Sequence, residues 1–138
     1  MNPAILRDLI LVSGVGHLVL SAGSLFVPVA LKWKLNLKNL PPLLRQMFWT
    51  YAAYILMINI CFGLICLLGT DELLGKSILA NSLHLMISGY WLIRIGIQFF
   101  YFDKTNAPKG TIYTLGEIVL VLLFTLFSVI HLIALFHD

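Results

Sequence analysis

Charge is scarce in this chain. Nine basic and six acidic residues are spread over 138 positions, or 11%, against about 25% in an ordinary soluble domain. A globule of this length needs more polar surface than that, so a soluble single domain is excluded. The net charge of +3 is small and largely loop-borne, which excludes a nucleic-acid partner. Cysteine is almost missing as well. Cys61 and Cys66 lie five apart in one helical stretch, roughly 140° around its axis, and cannot bridge each other. They read as small buried hydrophobes. There is no CxxC, which membrane disulfide-exchange enzymes require, and no HExxH, no acidic pair and no nucleophile–base motif. Internal repeats and low-complexity tracts are absent too.

Apolar residues are abundant, at 60% of the chain, with a mean hydropathy of +0.97. A transmembrane helix needs roughly 20 mainly apolar residues, and four windows qualify: about 9–31, 47–68, 78–102 and 115–136. The expected fold is all-α, a single integral membrane four-helix bundle over 1–138 with short loops and unbroken spans. Pro41-Pro42, Gly69-Thr70-Asp71-Glu72 and Asn106-Ala107-Pro108-Lys109-Gly110 punctuate the connections. The first span resembles a leader only loosely, because Asp8 cancels Arg7 and His17 interrupts the apolar run.

Lys32, Lys34, Lys38, Arg45, Lys104 and Lys109 fall in loops 32–46 and 103–114, against Arg7 and Lys76 on the other side. The positive-inside rule therefore predicts cytoplasmic loops and outside termini, in a bacterial inner (plasma) membrane. Trp33, Phe48, Trp49, Tyr51, Phe99 to Phe102 and Tyr113 gather near the same interface and read as an aromatic belt.

Ionisable side chains inside a span are costly and ask for a partner or a purpose. Helical angle places Ser13, His17, Ser21, Ser24 and Pro28 on one face of the first span, and His84, Ser88, Trp91, Arg94, Gln98 and Tyr101 on one face of the third. Glu117, Phe124, Ser128 and His131 share a face of the fourth. At ~1.5 Å per residue, His17, His84 and His131 lie roughly 12, 9 and 8 Å below the outer end, in one layer that Asn59 and Cys61 also reach. These three histidines are candidate ligands for haem b or a transition metal, the alternative being hydrogen bonds between helices. His137 stands at the outer end beside Asp138, in solvent.

Arg94, Gln98, Glu117 and Asn59 form a candidate buried polar cluster. Two arrangements are open for Glu117: an ion pair with Arg94, or a capping box with Thr114 as N-cap. Ser82, Gly89 and Gly96 recur at heptad spacing on the opposite face of the third span, which predicts close packing there, against the bundle or a second copy. Three functions follow from these features. The leading one is a non-catalytic accessory or binding module with a buried polar core, embedded in the lipid bilayer and acting with a homo-oligomer or membrane subunit partner. The others are a haem b or metal-binding protein, and an oligomeric transporter or channel subunit.

Overall fold

The computed structural model describes residues 2–137. The chain is all-helical among these residues, with four helices long and apolar enough to cross a membrane. Helix α1 spans Pro3–Ser24, and two short turns follow, α2 at Val27–Ala30 and α3 at Trp33–Asn36. Helix α4 spans Pro42–Leu68, α5 is a short turn at Thr70–Leu73, α6 spans Ile78–Phe100 and α7 spans Thr111–Phe136. The chain runs up and down through the bundle, a small membrane protein.

Local chemistry sets the ends. The Asn2 side chain accepts the Ala4 N–H at 2.9 Å and Pro3 follows at the first turn, so α1 begins six residues before the window expected from hydropathy. Pro41, in extended backbone, precedes Pro42 at the start of α4. Ser77 caps α6 by accepting the Ala80 N–H at 3.1 Å. Helix α7 starts at Thr111 after Gly110, whose φ of 147° favours glycine. In the loop before it, the Asp103 carboxylate accepts from the Thr105 hydroxyl and from its N–H at 2.8 Å, which holds the carboxyl below its usual range.

The first span runs from Pro3 to Ala30, as expected, with a tightened turn at Leu25 and Phe26. The chain leaves α1 at Leu25 and Phe26, turns through α2 with Pro28 near its start, and enters α3 through Lys32 at φ 49°. Pro28 lacks an N–H and cannot continue the α1 hydrogen-bond ladder. The turn at Lys32 carries Trp33 across to α4, where it meets Phe48 and Trp49 edge to face at 4.8 and 5.7 Å.

Two antiparallel pairs, α1 with α4 and α6 with α7, make the long contacts, and the pairs meet through α1 against α7. Gly14 and Gly63 let α1 and α4 approach closely: a Cβ on Gly63 would stand 2.8 Å from Leu18 and 3.1 Å from the Gly14 carbonyl oxygen. Outward faces are apolar, with Val15, Val19, Leu85, Ile93 and Leu122 exposed, the surface expected toward lipid. Among the described residues, no neighbouring helix closes on the Gly89 and Gly96 part of the Ser82–Gly89–Gly96 stripe. A Cβ on Gly89 or Gly96 would find nothing within 4 Å.

Burial is uneven along the bundle axis. One end carries the start of α1, the end of α7 and the α5 turn, and is called the terminal end; the other carries the 31–41 and 101–110 connections and is called the loop end. The buried residues of α4 are Asn59, Phe62, Gly63 and Cys66, and those of α7 run from Phe124 to His131. In α6 burial ends at Trp91. The core thus fills the terminal half and stops near mid-bundle.

Candidate functional site

All three predicted histidines are fully buried and come together in the terminal half. Ser13, one turn before His17 on α1, joins them. The His17 Nδ1–H donates to the Ser13 carbonyl at 2.7 Å, and its Nε2 accepts from the Trp91 indole N–H at 2.9 Å. An indole only donates and a carbonyl only accepts, so this tautomer follows from the partners. By the same logic His84 donates from Nε2 to the Leu73 carbonyl at 3.0 Å, leaving Nδ1 bare. That bare nitrogen accepts from the Nδ1–H of His131 at 2.8 Å. The remaining His131 nitrogen, Nε2, accepts from the Ser13 hydroxyl at 3.1 Å, with the Cys66 Sγ at 3.7 Å.

The result is one directed chain, Ser13 to His131 to His84 to Leu73, beside a second unit of Trp91, His17 and the Ser13 backbone. In this arrangement each imidazole carries one proton, and each bare nitrogen already has a donor. His17 also stacks on Phe127 with ring centroids 3.9 Å apart. The chain ties α1, α6 and α7 to one another and reaches α4 through Cys66.

As metal ligands, the three bare nitrogens point to three different partners: Trp91, His131 and Ser13. In a tetrahedral site, metal–nitrogen bonds of roughly 2 Å would set neighbouring ligand nitrogens about 3.3 Å apart, whereas His84 and His131 meet nitrogen to nitrogen at 2.8 Å, a hydrogen-bond distance. Among the described residues no group of three His, Cys, Asp or Glu side chains is placed to hold a metal ion. Cys61, expected in the histidine layer, is exposed, and Cys66 occupies that place instead. The signal for Ser13 was its spacing of four from His17. Trp91 already stood in the polar stripe of α6.

The second predicted cluster divides. Arg94 donates to Gln98 Oε1 at 3.1 Å, and the Gln98 amide donates to Glu117 Oε1 at 3.0 Å. Arg94 and Glu117 are thus linked through Gln98, without direct contact. Glu117 also pairs with Lys104 from the connection. The capping box is absent because Gly110 starts α7 one turn earlier and the Thr114 hydroxyl bonds back to its carbonyl at 3.3 Å. Asn59 lies apart from these three. It is 5% exposed, and its Oδ1 has no hydrogen-bond partner.

Asn59 lines a cavity of about 640 Å³ between the two helix pairs, in the loop half. Its deep end is formed by Leu20, Asn59, Tyr90, Trp91 and Phe124. Arg94 stands one turn nearer the loop end, its guanidinium 5.0 Å from the Phe102 ring centroid and 5.3 Å from that of Phe124, within cation–π range. Ala52, Ile55 and Leu56 form the α4 wall, and Trp33, Phe48, Trp49 and Phe102 frame the end toward the loops. The residues read from sequence as an aromatic belt therefore line a cavity as well. Trp91 belongs to both regions, touching the cavity with its ring and His17 with its N–H. No family model, curated protein or solved structure matches this chain.

Proposed function

We propose that this chain is a non-catalytic membrane binding module whose cavity, between the α1–α4 and α6–α7 pairs, holds an amphipathic small molecule drawn from the bilayer. The observation that carries the reading is the cavity itself: about 640 Å³, in the 300–1,000 Å³ range of small-molecule sites, with aromatic and aliphatic walls and a few polar residues, Asn59, Arg94 and Ser24 among them. That is the usual make-up of a site that buries an apolar body and orients it through a few polar contacts.

The histidines serve this reading as the clasp that joins the helix pairs above the cavity. A structural role is favoured over haem b or metal ligation because each bare nitrogen already has a donor and the three diverge. The proposed setting is a bacterial inner (plasma) membrane, with loops 32–46 and 103–114 cytoplasmic and the termini outside. Its support is the charge bias of the connections, and reporter fusions to each connection test it. Gly89 and Gly96 open a face suited to a second copy or a membrane subunit partner.

Organic extraction and native mass spectrometry of protein purified in mild detergent test the binding role. The expected result is one amphiphile per chain, lost in Ala52→Trp, which fills the α4 wall, with the helical spectrum retained. Equal occupancy in Ala52→Trp and the unaltered protein, or no bound amphiphile in either, overturns the reading.

A further inference from the structure

We infer that the head of the bound molecule is an oxyanion, a carboxylate or phosphate on an apolar tail, and that Arg94 takes it. This inference rests on the binding role proposed above and adds the charge of the head. Among the described residues that line the cavity, Arg94 alone is charged. Its guanidinium stays ionised and carries several N–H donors. A single hydrogen bond engages them among the described residues, the one to Gln98 at 3.1 Å. The Glu117 carboxylate stands beyond Gln98 and is itself paired with Lys104. The other acid of that connection, Asp103, is exposed and turned to Thr105. Arg94 and Lys104 against Glu117 leave one positive charge unbalanced at this wall.

The rings beside Arg94 hold the charge without cancelling it. Phe102 and Phe124, with centroids 5.0 and 5.3 Å from the guanidinium carbon, attract a cation weakly and bring no counter-charge. The other lining groups favour an acceptor as well. The Asn59 Oδ1 is packed away, so the polar group Asn59 can offer a cavity ligand is its NH2, a donor. Trp33 and Trp49, in the same lining, donate only. The Tyr51 and Tyr90 hydroxyls serve either way and do not select. The candidate heads then sort by charge. A cation is repelled by Arg94. A hydroxyl, ether or ester accepts a hydrogen bond but leaves the positive charge unbalanced in an apolar wall, where that is costly. A carboxylate or phosphate supplies both the charge and paired acceptor oxygens, in the forked geometry a guanidinium fits. The tail then lies against Ala52, Leu56 and Leu120.

The test uses the full chain in phosphatidylcholine nanodiscs, at a pH alkaline enough to ionise a carboxylic acid in lipid, and reads quenching of tryptophan fluorescence. The probes are ω-bromododecanoate and its methyl ester, which share a tail and differ in charge, compared at equal mole fraction in the lipid. The carboxylate should bind about tenfold tighter than the ester, the difference expected for hydrogen bonding to a charged group. Arg94→Gln should bring the carboxylate down to the affinity of the ester and leave the ester unchanged. Arg94→Lys, which keeps the charge, should retain most of the preference. Equal saturable binding of carboxylate and ester by the unaltered protein overturns the inference, leaves the binding role standing and needs no variant to fold. A preference that survives in Arg94→Gln overturns it too, and moves the anion to the loop lysines. Replacing part of the phosphatidylcholine with phosphatidylglycerol separates two sources of the oxyanion, both in support of the inference: competition with the carboxylate identifies a membrane phospholipid, and no competition a free acid. Failure of both probes to quench saturably, with no co-purified amphiphile, removes the binding role itself.

Discussion

The terminal and loop halves of this bundle are made by the same four helices, yet they solve opposite problems. In the terminal half, Phe62, Ile87, Phe127 and Ile130 are almost fully buried and surround a set of polar groups that are all paired. In the loop half, the faces that point inward are aromatic or aliphatic, yet no helix closes over them and a cavity remains. Helix pairs in lipid gain nothing from hiding apolar surface, because lipid is as apolar as a neighbouring helix. They are held by close packing and interhelical hydrogen bonds, and between the two pairs the described residues supply these at the terminal end. A four-helix membrane bundle can therefore stay open over half its length, provided that a tight polar clasp joins the other half.

Substitutions can break or sharpen that contrast. The largest effect is expected from Gly63→Leu, where the new side chain would collide with Leu18 and the Gly14 carbonyl. The pair α1–α4 has no slack there, so the cost is about 3 kcal/mol, read as a lowered midpoint in detergent unfolding. His131→Leu comes next. It removes the donor to His84 and the acceptor for Ser13, which leaves buried polar groups unpaired at about 2 kcal/mol. A midpoint unchanged by His131→Leu would mean that the clasp does not hold the pairs together.

Trp91→Phe keeps the ring against Phe124 but deletes the donor to His17, and should cost about 1 kcal/mol. Ala52→Trp, in the loop half, should shift the midpoint by less than about 0.5 kcal/mol, because it enters space instead of packed atoms. A large loss there would show the two halves to be equally tight. Glu117→Gln is expected to be smaller still and to diminish with added salt, since its pairing with Lys104 is partly exposed.

The terminal half was legible in the sequence for a definite reason. Spacing along a helix fixes both angle and depth, and these two coordinates suffice to put His17, His84 and His131 on inward faces at one level. Which thiol joins them was not legible. Cys61 and Cys66 both lie near that level, and the choice depends on the crossing of α4 over α1 at Gly14 and Gly63. Glu117 failed for a similar reason, because a Lys in a loop and a Gln on α6 outcompeted a cap that the local pattern Thr114-Leu115-Gly116-Glu117 permitted. The cavity was the least legible feature. It consists of contacts that are missing, and Trp33, Phe48 and Trp49 have the same composition whether they float at an interface or line a wall. Asn59 could be named as buried and polar, but its lack of a partner belongs to the packing alone.

Tyr51 and Ile55 line the cavity and are also more than half exposed on the bundle's outer surface. Entry between them would come from the side of the bundle, the direction in which lipid would lie. A molecule reaching Asn59 by that route partitions from lipid instead of diffusing from water, so occupancy follows its mole fraction among the lipids. Adding empty vesicles at constant aqueous volume would drain the site, whereas diluting protein and lipid together would leave it filled.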